Sequence, residues 1–419
     1  MKLGEVFSAI AGPDAPVEFL AYDGSKAGIP GSPVRVEVQS ERAVDLVMSH
    51  PGQVGLARAY VAEEIEIVGD ILDLFEALSH VRPATITWPT RIKLGREFAP
   101  SFLRNTDILR RGDVPQEETK LDGRRHSKIR DAEAIKHHYD VSNTFYRWVL
   151  GPSMAYTCAV FSHENSTLEE AQEEKFDLVC RKLGLKPGMR LLDVGCGWGG
   201  MVLHAAKNYG VEAIGVTLSQ EQAQWGQQAV VDAGLEKQAQ VRFSDYRDVP
   251  ESGFDAISSI GLTEHIGEDN YPAYFEFLRS KARPHARLLN HSITRFDDNQ
   301  KVRYRNTFIN RYIFPDGELT GPAKIMTAMT AAGWEVRHEE NIREHYAKTL
   351  NAWRRNLEDH WAEAVAEVGI RKARVWRLYM AAAEFGFMQN MIQLHQFLGV
   401  NTDANGIANM PLRPDFSPS

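Results

Sequence analysis

The segment Leu191–Gly200 constrains the fold more than any other part of the chain. An apolar run leads into Asp193 and then into three closely spaced glycines, Gly195, Gly197 and Gly199. This pattern predicts a buried parallel strand that ends in a tight turn at the start of a helix. Glycines accept unusual φ angles and let a ligand lie directly against the backbone. By itself, such a turn is typical of dinucleotide, nucleotide and methyl-donor folds alike.

Strand and helix patterns alternate regularly from about residue 183 onward. The predicted strands are Arg190–Val194, Glu212–Leu218, Gln240–Ser244, Phe254–Ile260 and Arg287–Ile293. The predicted helices between them are Met201–Tyr209, Gln220–Ala233 and Tyr271–Ala282. This alternation predicts an α/β fold with a doubly wound parallel sheet. Sheets of this kind bind ligands beyond the carboxyl ends of their strands, where the strand order reverses.

The sequence before the sheet divides into a small module and a basic stretch. Residues 1–80 contain a strand pattern at Val34–Val38 and a helical pattern at Ile71–Leu78, which predicts a small N-terminal domain. Residues 81–130 form a basic linker region, and residues 131–419 form the sheet-containing domain. The stretch is either a solvated linker or a surface for anionic lipid, where each charge contributes about 1 kcal/mol. Its basic residues include Arg91, Lys93, Arg96, Arg104, Arg110, Arg111, Arg124, Arg125, Lys128 and Arg130.

Composition argues against several classes of protein. The chain has 419 residues and a formal net charge of −8, whereas nucleic-acid-binding proteins gain affinity from a basic surface. Its three cysteines form no CxxC pair, so neither a disulfide framework nor a zinc ribbon is expected. The first residues carry a charge where a signal peptide needs apolar residues, and no apolar run has the length of a membrane span. We therefore expect a cytoplasmic protein, peripheral at the inner face of the membrane if the basic stretch binds lipid.

Several sequence blocks point to a methyl donor and to one family. Asp193 precedes the glycines and no Lys-Ser/Thr pair follows them, which resembles motif I of class I S-adenosylmethionine (SAM) methyltransferases. Over roughly residues 130–400 the chain resembles the cyclopropane-fatty-acyl-phospholipid synthases and their mycolic-acid relatives. Besides the glycine block, the resemblance rests on His138–Asn143, Met154–Phe161, Val216–Gln222, Glu264–Gly267, Asn290–Ile293, and Tyr346 with Thr349–Trp353. It implies a class I, Rossmann-like methyltransferase fold with a smaller N-terminal α+β domain and helical acyl-binding additions.

The resemblance also implies a SAM site at the carboxyl side of the sheet. The second strand ends at Thr217 without the acid that often binds the ribose in class I methyltransferases. Taken alone, Thr217 and Gln222 are better explained as a helix start capped by Ser219, but the family register reverses that balance. The implied SAM-binding residues are Tyr156, Thr157, Asp193, Gly195, Gly197, Gly199, Thr217, Gln222, Asp245 and Tyr246.

The acceptor chemistry is more distinctive. An isolated carbon–carbon double bond is a weak nucleophile, so the enzyme must position the alkene, exclude water and tolerate a carbocation. Positioning of this kind supplies roughly 7–11 kcal/mol of the barrier. The resemblance implies that a bound bicarbonate removes a proton, and that the bicarbonate is held by Cys158, Glu264, His291, Ile293 and Tyr346. The Glu, His and Tyr side chains share protons with such an anion, whereas Cys158 and Ile293 would act mainly through backbone groups.

Each of these residues also has an ordinary structural explanation. A lone cysteine is usually a small buried hydrophobe, an acid after a strand often starts a helix, and a histidine in an apolar strand is usually a satisfied core residue. Their joint occurrence at the family's positions makes coincidence improbable. The pair His137-His138 has no further ligand spacing, so no metal site is predicted.

The fifth strand departs from the family pattern at two positions. The block compared with the family extends from Leu289 to Arg295, and Asn290 and Arg295 change the surroundings of His291. Together with Asp23-Gly24, this block of sequence resembles the actinobacterial branch that makes 10-methylene fatty acids on the way to 10-methylstearate. It favours a methylene product over a cyclopropane. A methylene product requires a partner reductase to become a methyl branch, and the oligomeric state stays open, with a homodimer as one alternative.

The sequence therefore predicts SAM-dependent one-carbon transfer to the cis double bond of a phospholipid acyl chain. Two alternatives remain, because fold alone does not decide function. One is a small-molecule O-, N- or C-methyltransferase, and the other is a non-catalytic lipid-binding protein. Lipid is favoured by an apolar insertion, and the predicted helical tail from Arg343 to Val400 is either core or the wall of an apolar tunnel. The insertion comprises Phe308, Ile309, Tyr312, Ile313 and Phe314.

Overall fold

A computed structural model provides the structure of the chain. It describes residues 2–79, 114–119, 125–127, 130–131, 142–299 and 307–418. The chain divides into two compact units. Unit 1 comprises Met1–Lys120, Arg305–Pro315 and Trp361–Phe385, and unit 2 comprises Leu121–Tyr304, Asp316–His360 and Gly386–Ser419. The predicted domain boundaries at residues 80 and 130 stay a prediction, because residues 80–113 and 128–129 lie outside the described part.

The described strands and helices are numbered in chain order. The strands are β1 (Glu18–Ala21), β2 (Lys26–Ala27), β3 (Arg35–Val38), β4 (Ile65–Val68), β5 (Arg190–Val194), β6 (Glu212–Thr217), β7 (Ala239–Phe243), β8 (Phe254–Ile260), β9 (Ala282–Arg295), β10 (Glu335–Asn341) and β11 (Ile392–Val400). The helices are α1 (Leu3–Ala11), α2 (Glu41–Ser49), α3 (Gln53–Val61), α4 (Ile71–Ser79), α5 (Asn143–Leu150), α6 (Leu168–Leu183), α7 (Gly200–Tyr209), α8 (Gln220–Asp232), α9 (Thr263–Ile266), α10 (Tyr271–Lys281), α11 (Phe308–Tyr312), α12 (Pro322–Ala331), α13 (Arg343–Asp359), α14 (Trp361–Val368) and α15 (Ile370–Met388).

Unit 1 contains a four-stranded sheet with the order β2-β1-β3-β4. Strands β1 and β3 are parallel, and the other two pairs are antiparallel. Ion pairs with the buried Glu118 join segments of this unit that are far apart in sequence. Arg58 forms two hydrogen bonds with Glu118, at 2.7 and 2.8 Å, and Arg311 contacts the same carboxylate at 2.7 Å. The strand and helix predicted at Val34–Val38 and Ile71–Leu78 are confirmed as β3 and α4.

Unit 2 is built on a seven-stranded sheet with the order β10-β11-β9-β8-β5-β6-β7. Strands β5 to β9 are parallel neighbours, and the chain leaves β5 toward β6 on one side and returns to β8 on the other. The strand order therefore reverses between β5 and β8, where doubly wound sheets bind ligands. One face of the sheet packs on α6 and α7, and the other packs on α10 and α12. The fold class predicted from the alternation of elements is confirmed.

The end of the chain differs from its prediction. The segment Arg343–Val400 was expected to be helical throughout, but its last nine residues form strand β11. This strand pairs antiparallel with β9 on one side and with β10 on the other, so the sheet is not wholly parallel. The helical pattern ends at Met388, and Asn390 then adopts a positive φ of 54° that turns the chain. This segment is a strand because it pairs with β9, about a hundred residues earlier in the sequence. The local spacing of apolar residues contains no information about such long-range pairing.

Helix α6 has unusually complete end signals. Thr167 and Glu170 form a capping box at its start, and Gly184 ends it in the left-handed conformation. The buried face of this 16-residue helix nevertheless contains two lysines, Lys175 and Lys182. Among the described residues, no helix is long and apolar enough to cross a membrane.

Candidate active site

The glycine turn lies at the carboxyl end of β5. Gly195 has φ +73° and Gly199 has φ +83°, in the region that L side chains rarely adopt. A Cβ at Gly199 would lie 2.9 Å from a methyl group of Val241, so this position requires glycine for space as well. A Cβ at Gly197 would meet no atom of the described chain within 4 Å. The loop is therefore open at Gly197, where a ligand can lie directly against the backbone.

Asp193 lies in β5 just before this turn. Its side chain is buried and accepts a hydrogen bond from the Ser258 hydroxyl at 2.6 Å. Burial raises the pKa of the Asp193 carboxyl to about 7. This hydrogen bond connects β5 to the neighbouring strand β8 close to the carboxyl ends of the two strands. The predicted contact of Asp193 with SAM stays a prediction.

Thr217 and Gln222 contact each other at the end of β6. The Thr217 hydroxyl donates to Gln222 Oε1 at 2.7 Å, and both side chains are buried. Ser219 caps α8 by accepting from the Gln222 backbone N–H at 3.3 Å. The capping explanation and the paired side chains are thus both present. The predicted contact of these two residues with SAM stays a prediction.

Asp245 and Tyr246 follow β7. Arg247 donates to both carboxylate oxygens of Asp245, at 2.8 and 2.6 Å. The Tyr246 ring packs edge-on against Tyr274 and Phe277, and burial raises the pKa of its hydroxyl to about 12. The structure brings both residues to the carboxyl edge of the sheet, and their predicted contact with SAM stays a prediction.

The segment Tyr156–Cys158 crosses close to the end of β8. The Tyr156 ring lies 5.3 Å from the ring of Trp353, and a Cβ at Gly261, the residue after β8, would lie 3.2 Å from the Thr157 methyl group. Cys158 is fully buried, and burial raises the pKa of its thiol. This thiol is therefore neutral, which agrees with a contribution through the backbone rather than through a thiolate.

Glu264 lies in the short helix α9, just after β8. Its Oε1 accepts a hydrogen bond from the Ile293 backbone N–H at 2.6 Å. The Ile293 N–H would therefore contribute to the site by positioning the Glu264 carboxyl. Its Oε2 is buried and has no hydrogen-bond partner among the described residues. Burial raises the pKa of this carboxyl to about 7. A buried carboxyl with one unpartnered oxygen and a pKa near neutrality is suited to proton exchange with a ligand.

His291 lies on β9, two residues before Ile293 and on the same face of the sheet. Its Nδ1 is 3.1 Å from Nε2 of Gln396, and its own Nε2 is buried without a partner among the described residues. Burial holds the pKa of this imidazole well below its usual range, so the ring is neutral. Asn290, one of the two departures from the family pattern, accepts from the Thr263 hydroxyl at 2.6 Å and so contacts the helix that carries Glu264.

Tyr346 lies on α13 among aromatic side chains. Its ring is 4.5 Å from Phe387 and 6.0 Å from Trp353. Because Trp353 also contacts Tyr156, one aromatic cluster connects the predicted proton-handling tyrosine with the predicted SAM site. The five predicted bicarbonate residues and the ten predicted SAM residues thus all lie in unit 2.

Comparisons with known proteins identify the family. Residues 126–397 match the family model described as Mycolic acid cyclopropane synthetase. The chain belongs to this family. It is 50% identical over 428 residues to "Probable fatty acid methyltransferase Rv3720" of Mycobacterium tuberculosis, an alignment that covers 99% of this chain and 97% of the relative. It is also 37% identical to "Probable fatty acid methyltransferase" of Pseudomonas putida, with 94% of each chain covered.

Solved structures agree with this assignment. The mycolic acid cyclopropane synthase CmaA1, complexed with SAH and CTAB, has a TM-score of 0.61 and 32% identity to this chain. The match covers 64% of this chain and 98% of CmaA1. Together, the family and its relatives establish a SAM-dependent methyltransferase that acts on lipids. The open, glycine-lined turn after β5 fits the donor, since its backbone leaves the approach free at Gly197.

Sequence reasoning missed three residues of this site. Lys175 is buried and donates to the Thr157 hydroxyl at 3.0 Å, and burial lowers the pKa of its amine to about 7. Lys182 and Gln396 contact each other beside His291. A signal was available for the lysines, because they follow Leu168 at intervals of seven residues and so lie on the apolar stripe of α6. Gln396 had no such signal while its segment was assigned to a helix.

Several predictions fall outside the described residues. These are the start of the first family block, His138–Val141, the pair His137-His138, and eight of the ten basic residues named above for the 81–130 stretch. The two described ones are already paired within unit 2. Arg130 contacts Asp316 at 2.6 Å, and Arg125 contacts Asp316 at 3.3 Å and Glu318 at 3.5 Å. These two arginines thus stabilise the fold near α9 rather than adding to a free basic surface.

The apolar insertion has an unexpected place. Phe308 and Tyr312 form part of α11, which belongs to unit 1, and both are buried there. Tyr312 lies 3.4 Å from the Glu118 carboxylate, and Phe314 packs edge-on against Tyr379. The insertion therefore contributes to the core of unit 1.

Proposed function

We propose that the protein transfers a methyl group from SAM to the cis double bond of an unsaturated phospholipid acyl chain. Two buried atoms, Glu264 Oε2 and His291 Nε2, carry this proposal, because neither has a hydrogen-bond partner among the residues that the structure describes. A methyltransferase acting on oxygen or nitrogen removes a proton from a heteroatom, whereas alkylation of an alkene leaves a carbocation that must lose a proton from carbon. Two buried proton-handling atoms that have no partner in the described part of the chain suit the second case. The long alkyl chain of CTAB, bound in the relative CmaA1, also supports an acyl substrate.

The proton acceptor proposed here is a bound bicarbonate. Glu264 and His291 each have one buried atom without a partner among the described residues, and Tyr346 is the third side chain proposed to hold the anion. Glu264, when protonated, donates a hydrogen bond to an anion, and the neutral His291 ring adds a second polar contact. The neutral thiol of Cys158 and the aromatic cluster around Trp353 keep the surroundings apolar. Low polarity strengthens the hydrogen bonds that remain and excludes water from a carbocation.

The product proposed is the 10-methylene chain. Methyl transfer to one alkene carbon breaks the bond from sulfur and leaves the cation on the other carbon. A hydride shift then moves the cation to the methyl-bearing carbon, and loss of a proton from that methyl group gives a methylene (C=CH2) branch. Loss of a proton from the methyl group without the shift closes a cyclopropane instead. Asn290 supports the first route, because this departure from the family pattern contacts the helix that carries Glu264.

The test uses purified protein, SAM labelled with 13C in the methyl group, and vesicles of dioleoyl phosphatidylglycerol. Vesicles of a fully saturated phosphatidylglycerol serve as the control. Label in a methylene (C=CH2) branch, detected by NMR of the extracted lipid, supports both parts of the proposal. Label in a cyclopropane ring refutes the product, and label equally in the saturated control or in no lipid refutes alkene alkylation.

The bicarbonate is tested separately. Turnover is measured in buffer freed of carbon dioxide and again after addition of bicarbonate. We expect a loss that bicarbonate reverses and that chloride at equal ionic strength does not reverse. Equal turnover in the three buffers contradicts the role of bicarbonate and leaves alkene alkylation untouched.

We also propose that basic residues of the 81–130 stretch bind the anionic membrane surface. The support is the sequence itself, where this stretch has twelve basic residues against six acids in a chain of net charge −8. Several such charges near a surface add up to a useful affinity at about 1 kcal/mol each. The double bond of a phospholipid acyl chain would then be reached from one side of the bilayer.

A further inference from the structure

Three neighbouring strands present a row of polar side chains beside the proposed reaction site. Glu340 on β10 is opposite Gln396 on β11, and Gln396 is opposite His291 on β9. Residues directly opposite each other in antiparallel strands point to the same face of the sheet. Helix α6 covers this face and places Lys182 over the row. The row therefore ends at His291, and it begins at a glutamate that is partly exposed.

The contacts along this row have a fixed direction. The Lys182 ammonium forms an ion pair with Glu340 and donates to Oε1 of Gln396 at 2.7 Å. Nε2 of Gln396 then lies 3.1 Å from Nδ1 of His291. The side chains of Lys182, Gln396 and His291 are all buried, so water does not offer alternative partners.

The chemistry of the groups decides which atoms carry protons. An ammonium group has only donors, so the Gln396 carboxamide must turn its oxygen toward Lys182. Its NH2 group then faces His291, and an NH2 group has no acceptor, so Nδ1 of His291 must be the unprotonated nitrogen. A neutral imidazole carries its single proton on the other nitrogen. His291 therefore presents an N–H at Nε2, the atom that has no partner in the described part of the chain.

We propose that Lys182 and Gln396 are positioning residues that set the tautomer of His291, so that its Nε2–H is a hydrogen-bond donor to the bound anion. The identity of the anion rests on the proposed function, whereas the tautomer rests on these contacts alone. Without Lys182, the carboxamide could turn over and accept from Nδ1–H, which would leave a lone pair facing the anion. Burial lowers the pKa of Lys182, and the ion pair with Glu340 opposes this effect and so favours the charged form that gives the row its direction.

The tautomer is measured by 15N NMR of the protein labelled in its 14 histidines, with the His291 signals assigned from the spectrum of His291→Asn. In the unaltered protein we expect an unprotonated Nδ1 and a protonated Nε2. Gln396→Glu should reverse this, because a carboxylate next to Lys182 accepts from Nδ1–H. Lys182→Met should give a mixture of both tautomers. Gln240→Glu is the matched control, since Gln240 lies on β7 and accepts from Arg242 instead.

Turnover and SAM affinity are measured on the same variants, at a pH where titration shows the His291 ring to be neutral. Gln396→Glu should lower turnover about 10- to 100-fold, as expected for a residue that orients a functional histidine, with SAM affinity unchanged. A protonated Nδ1 in the unaltered protein overturns the inference even if no variant folds, and so does an unprotonated Nδ1 in Gln396→Glu. A reversed tautomer with full turnover overturns the donor role of His291. Alkene alkylation is judged independently by the labelled lipid.

Discussion

Replacing Glu264 by Gln removes one buried carboxyl while it preserves the shape of the side chain. The amide oxygen keeps the hydrogen bond from the Ile293 N–H, which is 2.6 Å in the structure. The NH2 group takes the place of Oε2, the atom without a partner among the described residues. SAM binding should be retained, because the glycine turn, residues 195–199 of the described chain, shares no hydrogen bond with Glu264. Turnover should fall by about 10²–10⁴-fold, the range for loss of a group that exchanges protons in the reaction.

The same substitution should make the fold more stable, and the size of the effect follows from the pKa. Burial raises the pKa of Glu264 from 4.5 to about 7, and each unit corresponds to 1.36 kcal/mol. Between these two pH values the unfolded chain releases the proton while the folded chain keeps it, so stability falls as the pH rises. The loss reaches about 3 kcal/mol above the folded pKa. Gln does not ionise, so Glu264→Gln should gain about this amount at about pH 8 and almost nothing at about pH 4.5.

Urea denaturation across this pH range measures the gain. Glu276→Gln is the matched control, because Glu276 is exposed on α10. The difference between Glu264→Gln and the unaltered protein should grow with pH, and the difference for the control should stay flat. A gain that does not depend on pH would show that Glu264 is not held in its neutral form by burial. Unchanged turnover in Glu264→Gln would remove this residue from the proposed proton transfer.

Three further outcomes are expected. Gly199→Ala should lower the free energy of unfolding by about 2–4 kcal/mol in urea denaturation and weaken SAM binding, because it combines a left-handed φ with a contact to Val241 at 2.9 Å. The control Gly234→Ala, at φ +67° with open space around the new methyl group, should lower it by only about 1–2 kcal/mol. Thr263→Val should cost about 1–3 kcal/mol and lower turnover, since it leaves the buried Asn290 unpaired; equal stability would contradict this hydrogen bond. Charge reversal of three arginines in the basic stretch should weaken sedimentation with anionic vesicles at low salt, and unchanged sedimentation would make the stretch a linker. These are Arg104, Arg110 and Arg111.

The central sheet could be predicted from sequence because its signals are local. Strands β5 and β8 have the predicted limits, and β6, β7 and their helices differ by one or two residues. Each of these elements is an apolar run or a helical stripe bounded by glycines or caps, which depend on residues within a turn or two. The glycine turn was predictable for the same reason, since its left-handed φ angles demand glycine wherever the fold places it.

The edge of the sheet could not be predicted in this way. Strand β11 follows a long helix without a strong break, and only pairing with β9 makes it a strand. The same pairing brings Gln396 to His291 across 105 residues of sequence. Because the segment was assigned to a helix, its glutamine had no expected relation to the site.

The sequence by itself determined the α/β class, the position of the donor turn and, through resemblance, the residues proposed to handle protons. Tertiary structure decided what those residues are able to do. Glu264 has a pKa near neutrality only because the fold buries it, and His291 carries its proton on Nε2 only because Lys182 orients Gln396. The physical reason is that backbone conformation depends mainly on near neighbours, whereas burial and hydrogen-bond direction depend on groups that folding brings together.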